Sequence, residues 1–111
     1  MEYRSDKAFI PAGTETKVLT YTVTQDSIIK QGFYRFIGSV KDYGLILRLQ
    51  IGLDTKPYAN RSNLIENELC PVDVEIKKGQ TVNIIANAKN ISNDTDIEAF
   101  LIVEPIIKKR G

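Results

Sequence analysis

The chain has 111 residues, 42% of them hydrophobic, enough for one domain whose core needs no metal or disulfide staple. Fifteen basic residues against fourteen acidic ones leave a formal charge of +1, which excludes a long-range field toward nucleic acid or anionic lipid. A single cysteine, Cys70, excludes an intrachain disulfide and a cysteine-rich zinc site, and with no histidine the commonest general base and a common metal ligand are both missing.

The opening "MEYRSDKAFIPAG" has no apolar run long enough for a signal-peptide core, and nowhere do about 18 apolar residues follow one another. The expectation is a protein made in the cytoplasm, without a targeting segment or membrane span. The polar ends "MEYRSD" and "IIKKRG" are expected to form short ordered arms that dock on neighbours, flanking one domain over residues 1–111.

Along the chain, hydrophobicity alternates with period two and a helical period is almost absent. After the turn signal Pro11–Gly13, "TKVLTYTVT" reads as a strand, because branched and aromatic side chains pack well on a pleated backbone. "SIIKQG" ends in Gly32, and "FYRFIGSV" from Phe33 is predicted as a second long strand. "KDYG" turns into "LILRLQIGL", where Leu45, Leu47, Leu49 and Ile51 share one face.

Between Asp54 and Asn67 the pattern dissolves into a polar loop, with room for a short strand or turn near Leu64. Val72, Val74 and Ile76 resume inward alternation, and Lys78-Gly79 makes a tight hairpin turn leading to an inward row of Val82, Ile84, Ala86 and Ala88. "NISNDTD" is a further turn, and "IEAFLIVEPII" closes the domain with Ile97, Ala99, Leu101 and Val103 inward.

Seven or eight strands without a helix predict an all-β fold, a two-sheet antiparallel sandwich of jelly-roll type, with a five-stranded Greek-key barrel as the alternative.

Few residues invite chemistry. Without His, Ser-His and Cys-His triads cannot be assembled. The acids Asp73, Glu75, Glu98 and Glu104 alternate with apolar residues, as on the wet or rim-facing side of a sheet, and no catalytic residue is assigned. The oxygens of Asn90, Ser92, Asp94, Asp96 and Glu98 lack the glycine and terminal glutamate of a calcium loop, so they read as turn chemistry. The same reading covers the glycosylation-like triplets at Asn60, Asn90 and Asn93. No phosphate-binding glycine motif occurs, so neither cofactor nor metal is expected.

"KQGFYRFIGSV" resembles the base-stacking strand of RNA-recognition and cold-shock domains. Phe33 and Phe36, however, stand three apart and point to opposite faces, which leaves Tyr34 and Phe36 as core and puts a single-strand nucleic-acid-binding barrel third among the functions, behind the two given below.

One pattern asks for a partner. Phe33, Ile37, Ile46, Ile85, Phe100 and Ile102 fall opposite the predicted core rows, forming an apolar patch that a small monomer rarely leaves wet. They are the candidate subunit interface. Tyr43, Tyr58, Asn90, Asn93, Asp94 and Asp96 are candidate contacts of a carbohydrate- or receptor-binding surface, the alternative function.

The layout "FIPAGTETKVLTYTVTQDSIIKQGFYRFIGSV", closed by "VDVEIKKGQTVNIIANAKN" and "DIEAFLIVEPI", resembles small jelly-roll virion proteins of tailed bacteriophages. The shared traits are an "AGT" turn into a Thr/Val strand and an "I-x-K-G-Q" hairpin before the last strands. The resemblance implies a capsid decoration, head-fibre or adsorption role in a homo-oligomer, trimeric, that binds copies of itself and the major capsid protein. It brings no catalytic residue.

Overall fold

The computed structural model describes residues 2–52, 54, 55, 64 and 66–107. Among the described residues eight strands form: β1 (Glu2–Ile10), β2 (Glu15–Thr22), β3 (Ser27–Phe36), β4 (Ile46–Ile51), β5 (Asp54–Thr55), β6 (Cys70–Ile76), β7 (Thr81–Asn87) and β8 (Thr95–Pro105). They make two antiparallel four-stranded sheets, ordered β1-β8-β3-β6 and β2-β7-β4-β5. The pairs β1·β8, β2·β7, β3·β6 and β4·β5 are those of one long antiparallel hairpin rolled into two layers, the jelly roll that the alternation predicted.

β3, β4, β7 and β8 form where apolar residues recur at every second position, because one face of each can then be sealed against the other sheet. Ile10, Ile29, Leu47, Ile76, Val82, Ile84, Ile97 and Leu101 are fully buried between the layers. The inward rows predicted for β7 and β8 are both buried, as are Leu45, Leu47 and Leu49.

Two bulges trim the alternation. Lys17 pairs with Ile85 and Leu19 with Ile84, so Val18 is the extra residue and both Val18 and Leu19 turn inward. Lys30 is skipped in the pairing of β3 with both its neighbours, and Asp73 opposite it takes φ 52°.

Three local expectations are corrected. The predicted strand through Val40 ends at Phe36, because the chain bends at Gly38 and Ser39. β3 instead begins earlier and runs unbroken through Gly32. The turn at Lys78-Gly79 forms, with Gly79 at φ 93°, but it is not a hairpin turn: β6 belongs to one sheet and β7 to the other. Finally, the polar N-terminal segment is no docking arm. It is edge strand β1, paired along its whole length with β8 from Glu2↔Val103 to Ile10↔Thr95.

That edge is guarded. The Asp6 carboxylate accepts the Lys7 backbone N–H at 2.9 Å, occupying one donor that an edge strand would otherwise offer to another chain.

The connections gather at two ends of the sandwich. At one, Ala12 N–H donates to Asp94 Oδ1 and Gly13 N–H to the Ala88 carbonyl, each at 2.8 Å, and Ile37 N–H donates to the Asp96 carbonyl. At the other, Val23 and Gln80 bond through their backbones, and Lys78 N–H donates to Asp26 Oδ1.

Candidate functional site

The candidate interface divides between two surfaces. Phe33, Phe100 and Ile102 lie on the outer face of the β1-β8-β3-β6 sheet, whereas Ile46 and Ile85 lie on the outer face of the other. The single patch expected from the sequence is therefore corrected to two. Ile85 sits in the row Lys17–Ile85–Arg48 and Ile46 beside Asn87, each half-buried with polar residues next to it in the register.

Strand register builds the first face row by row. Tyr3–Ile102–Gln31, Ser5–Phe100–Phe33 and Lys7–Glu98–Arg35 each cross β1, β8 and β3. A fourth row places Phe9 beside Asp96, whose carbonyl takes the Ile37 N–H. In the second row Phe33 and Phe100 stack with ring centroids 4.5 Å apart and planes 6° from parallel. In the third, Arg35 Nη2 and Nε approach the same Glu98 Oε1 at 2.7 and 2.9 Å, while the guanidinium carbon lies 5.9 Å from the Phe100 ring centre.

β8 is central in its sheet, so side chains from both neighbours cover its outer face. This corrects two expectations. Ile102 is only 5% exposed and is satisfied within the protomer, and Glu98, read as a wet acid, is buried against Arg35. The exposed apolar surface comes instead from residues that alternation inside the predicted strands missed: Tyr3 at 72%, Phe9 at 56% and, beside the β3–β6 edge, Leu69. Tyr3 and Phe9 share odd parity with Ser5 and Lys7, a signal concealed by the charges between them. Ile37 is exposed as expected.

Near that fourth row lies a shallow depression of about 220 Å³ lined by Lys7, Ala8, Phe9, Ile37 and Asp96. Among the described residues neither Lys7 nor Asp96 has an ion-pair partner. The remaining candidate contacts gather nearby. The Tyr43 ring is exposed and meets Phe36 edge-on at 5.8 Å, and the backbone of Gly44 lies against Asn90 and Ile91. Asn90 and Asn93 are exposed, and Asp94 ties its turn to Ala12. Asp96 lies within β8 rather than in the turn. Tyr58 lies outside the described residues.

Phe33 and Phe36 point to opposite faces, and Tyr34 and Phe36 are core, as their spacing predicted.

The opposite end holds a cavity of about 20 Å³ whose lining includes Glu2, Arg4, Tyr21 and Ser27. Arg4 stands 5.0 Å from the Tyr21 ring centre, and the Tyr21 hydroxyl is buried without a hydrogen-bond partner among the described residues. Burial pushes this phenol up to about 12; Arg4 opposes the rise and Glu2 adds to it. Among the described residues no group of three metal-ligating side chains comes together, and no helix is long and apolar enough to cross a membrane.

No protein-family model, curated protein or solved structure matches the chain.

Proposed function

We propose that this protein is a non-enzymatic structural virion protein, a capsid decoration or head/tail accessory subunit that assembles with copies of itself and with a capsid protein. The observation that carries the reading is the outer face of the β1-β8-β3-β6 sheet, where the Phe33–Phe100 stack lies one row from exposed Tyr3. Contiguous apolar surface of this kind marks a contact site, and each large side chain covered by a neighbour contributes about 1.5–3 kcal/mol. A formal charge of +1 opposes association of identical copies only weakly. The resemblance to jelly-roll virion proteins supplies the setting.

Light scattering at tens of micromolar tests it. The expected result is a homo-oligomer that Phe100→Glu reduces in mass without loss of β-sheet circular dichroism. A strict monomer that also fails to bind capsids would end the proposal.

One observation favours a second reading, carbohydrate binding: exposed Tyr43 and the Asn90 turn share one end of the sandwich. A glycan array separates the two. Binding abolished by Tyr43→Ala supports the second reading, and a blank array at millimolar glycan removes it.

A further inference from the structure

The loop-end depression and the end of β8 fit each other but not within one protomer. Ile107 is 85% exposed, the highest value among the exposed large hydrophobics of the described residues. It is not adrift. Ile106 N–H donates to the Asp26 carbonyl at 2.9 Å, so the chain leaves the sandwich from a fixed point beside the β2–β3 connection. In sequence, Ile107 is followed by Lys108, Lys109 and Arg110.

An apolar residue leading three cations needs a socket that is apolar with an acid at its rim. The depression at the opposite end offers this: Phe9 and Ile37 form its apolar walls, and Asp96 contributes a carboxylate without an ion partner among the described residues. Asp94 in the adjoining turn adds a second negative charge, against the single positive charge of Lys7. Its volume of about 220 Å³ leaves room for an aliphatic side chain, which would displace water from the apolar wall.

Asp96 and Pro105 stand nine residues apart along β8, about 30 Å at ~3.3 Å per residue. Ile107 is two residues past Pro105, a reach of about 7 Å. It cannot enter the depression of its own chain.

We propose that Ile107 of one copy seats between Phe9 and Ile37 of a second copy, with the cations that follow it drawn to Asp96. The proposal rests on the self-assembly reading above and specifies a second contact for it. Plug and socket are different surfaces, so the contact is head-to-tail, and it generates closed rings where the rotation closes and filaments where it does not.

Two exposed substitutions test it, Ile107→Asp in the plug and Asp96→Lys in the socket. Each variant alone should show at least a twofold fall in light-scattering mass with circular dichroism unchanged. Mixed in equal amounts, they should pair, because the Asp96→Lys protein keeps a sound plug and the Ile107→Asp protein a sound socket. With Phe100→Glu added to both to silence the sheet face, an affinity-tagged copy of one should then retain the other, whereas neither variant retains itself. If both variants keep the parent mass while Phe100→Glu lowers it, this contact is overturned and the sheet-face reading stands. If the parent is monomeric and the mixture does not pair, both are overturned.

Discussion

Phe33 and Phe100 stack across the β3–β8 ladder on the solvent side of the sheet, centroids 4.5 Å apart and planes 6° from parallel. A cross-strand aromatic pair contributes about 0.5–1.5 kcal/mol beyond its buried area, so this one stabilises the protomer as well as offering surface. Phe100→Ala is expected to lower unfolding free energy by about 1–3 kcal/mol in urea titrations. It is also expected to weaken self-association, read as a concentration-dependent mass.

The neighbouring Arg35–Glu98 pair is asymmetric, with the carboxylate buried and the guanidinium about half exposed. Removing the cation leaves an acid with little solvent. Arg35→Met should therefore cost about 1–3 kcal/mol, more than Glu98→Gln, which keeps an oxygen acceptor for Arg35. Denaturation midpoints of the two variants and their double variant decide the order.

Gly32 lies mid-strand in β3, where a Cβ would meet Leu64 Cδ2 at 3.0 Å, Leu101 Cδ2 at 3.1 Å and the Phe100 carbonyl oxygen at 3.3 Å. The leucines have some freedom to yield, but a backbone oxygen held in a sheet has little. Gly32→Ala is expected to destabilise by about 1–3 kcal/mol through overpacking, and Gly32→Val by more, in thermal melts.

Tyr21 gives a pH dependence. Its phenol is pushed up to about 12 by burial in the fold and titrates near 10 when unfolded, so stability is intact below pH 10 and falls as pH rises from 10 to 12. Two units would carry roughly 2.7 kcal/mol unscreened. The residue is partly exposed, so the loss should be of order 1 kcal/mol. Tyr21→Phe removes the unpaired hydroxyl, should leave stability at neutral pH equal or higher, and should abolish this part of the alkaline loss in urea titrations at pH 9 and 12.

Inside-versus-outside was legible in the sequence, because period two reports it directly: the inward rows of β7 and β8 are the buried ones. Sheet membership was not. Both layers share one period, so nothing local separates the arch at Lys78-Gly79 from a hairpin, or Ile85 on one outer face from Phe100 on the other. β1 escaped notice because "EYRSDKAF" carries charges on both of its faces, as an edge strand can when only Ile10 is deeply buried. Ile102 escaped for the opposite reason: its shelter comes from strands distant in sequence.

On the proposed reading, the outer face of the β1-β8-β3-β6 sheet is covered by other copies in solution. Covalent footprinting across a concentration series measures this face by face. Tyr3 and Phe33 are expected to become protected as concentration rises, while Ile46 and Ile85 on the other sheet keep constant labelling. Equal labelling of Tyr3 and Phe33 from dilute to concentrated protein would contradict it.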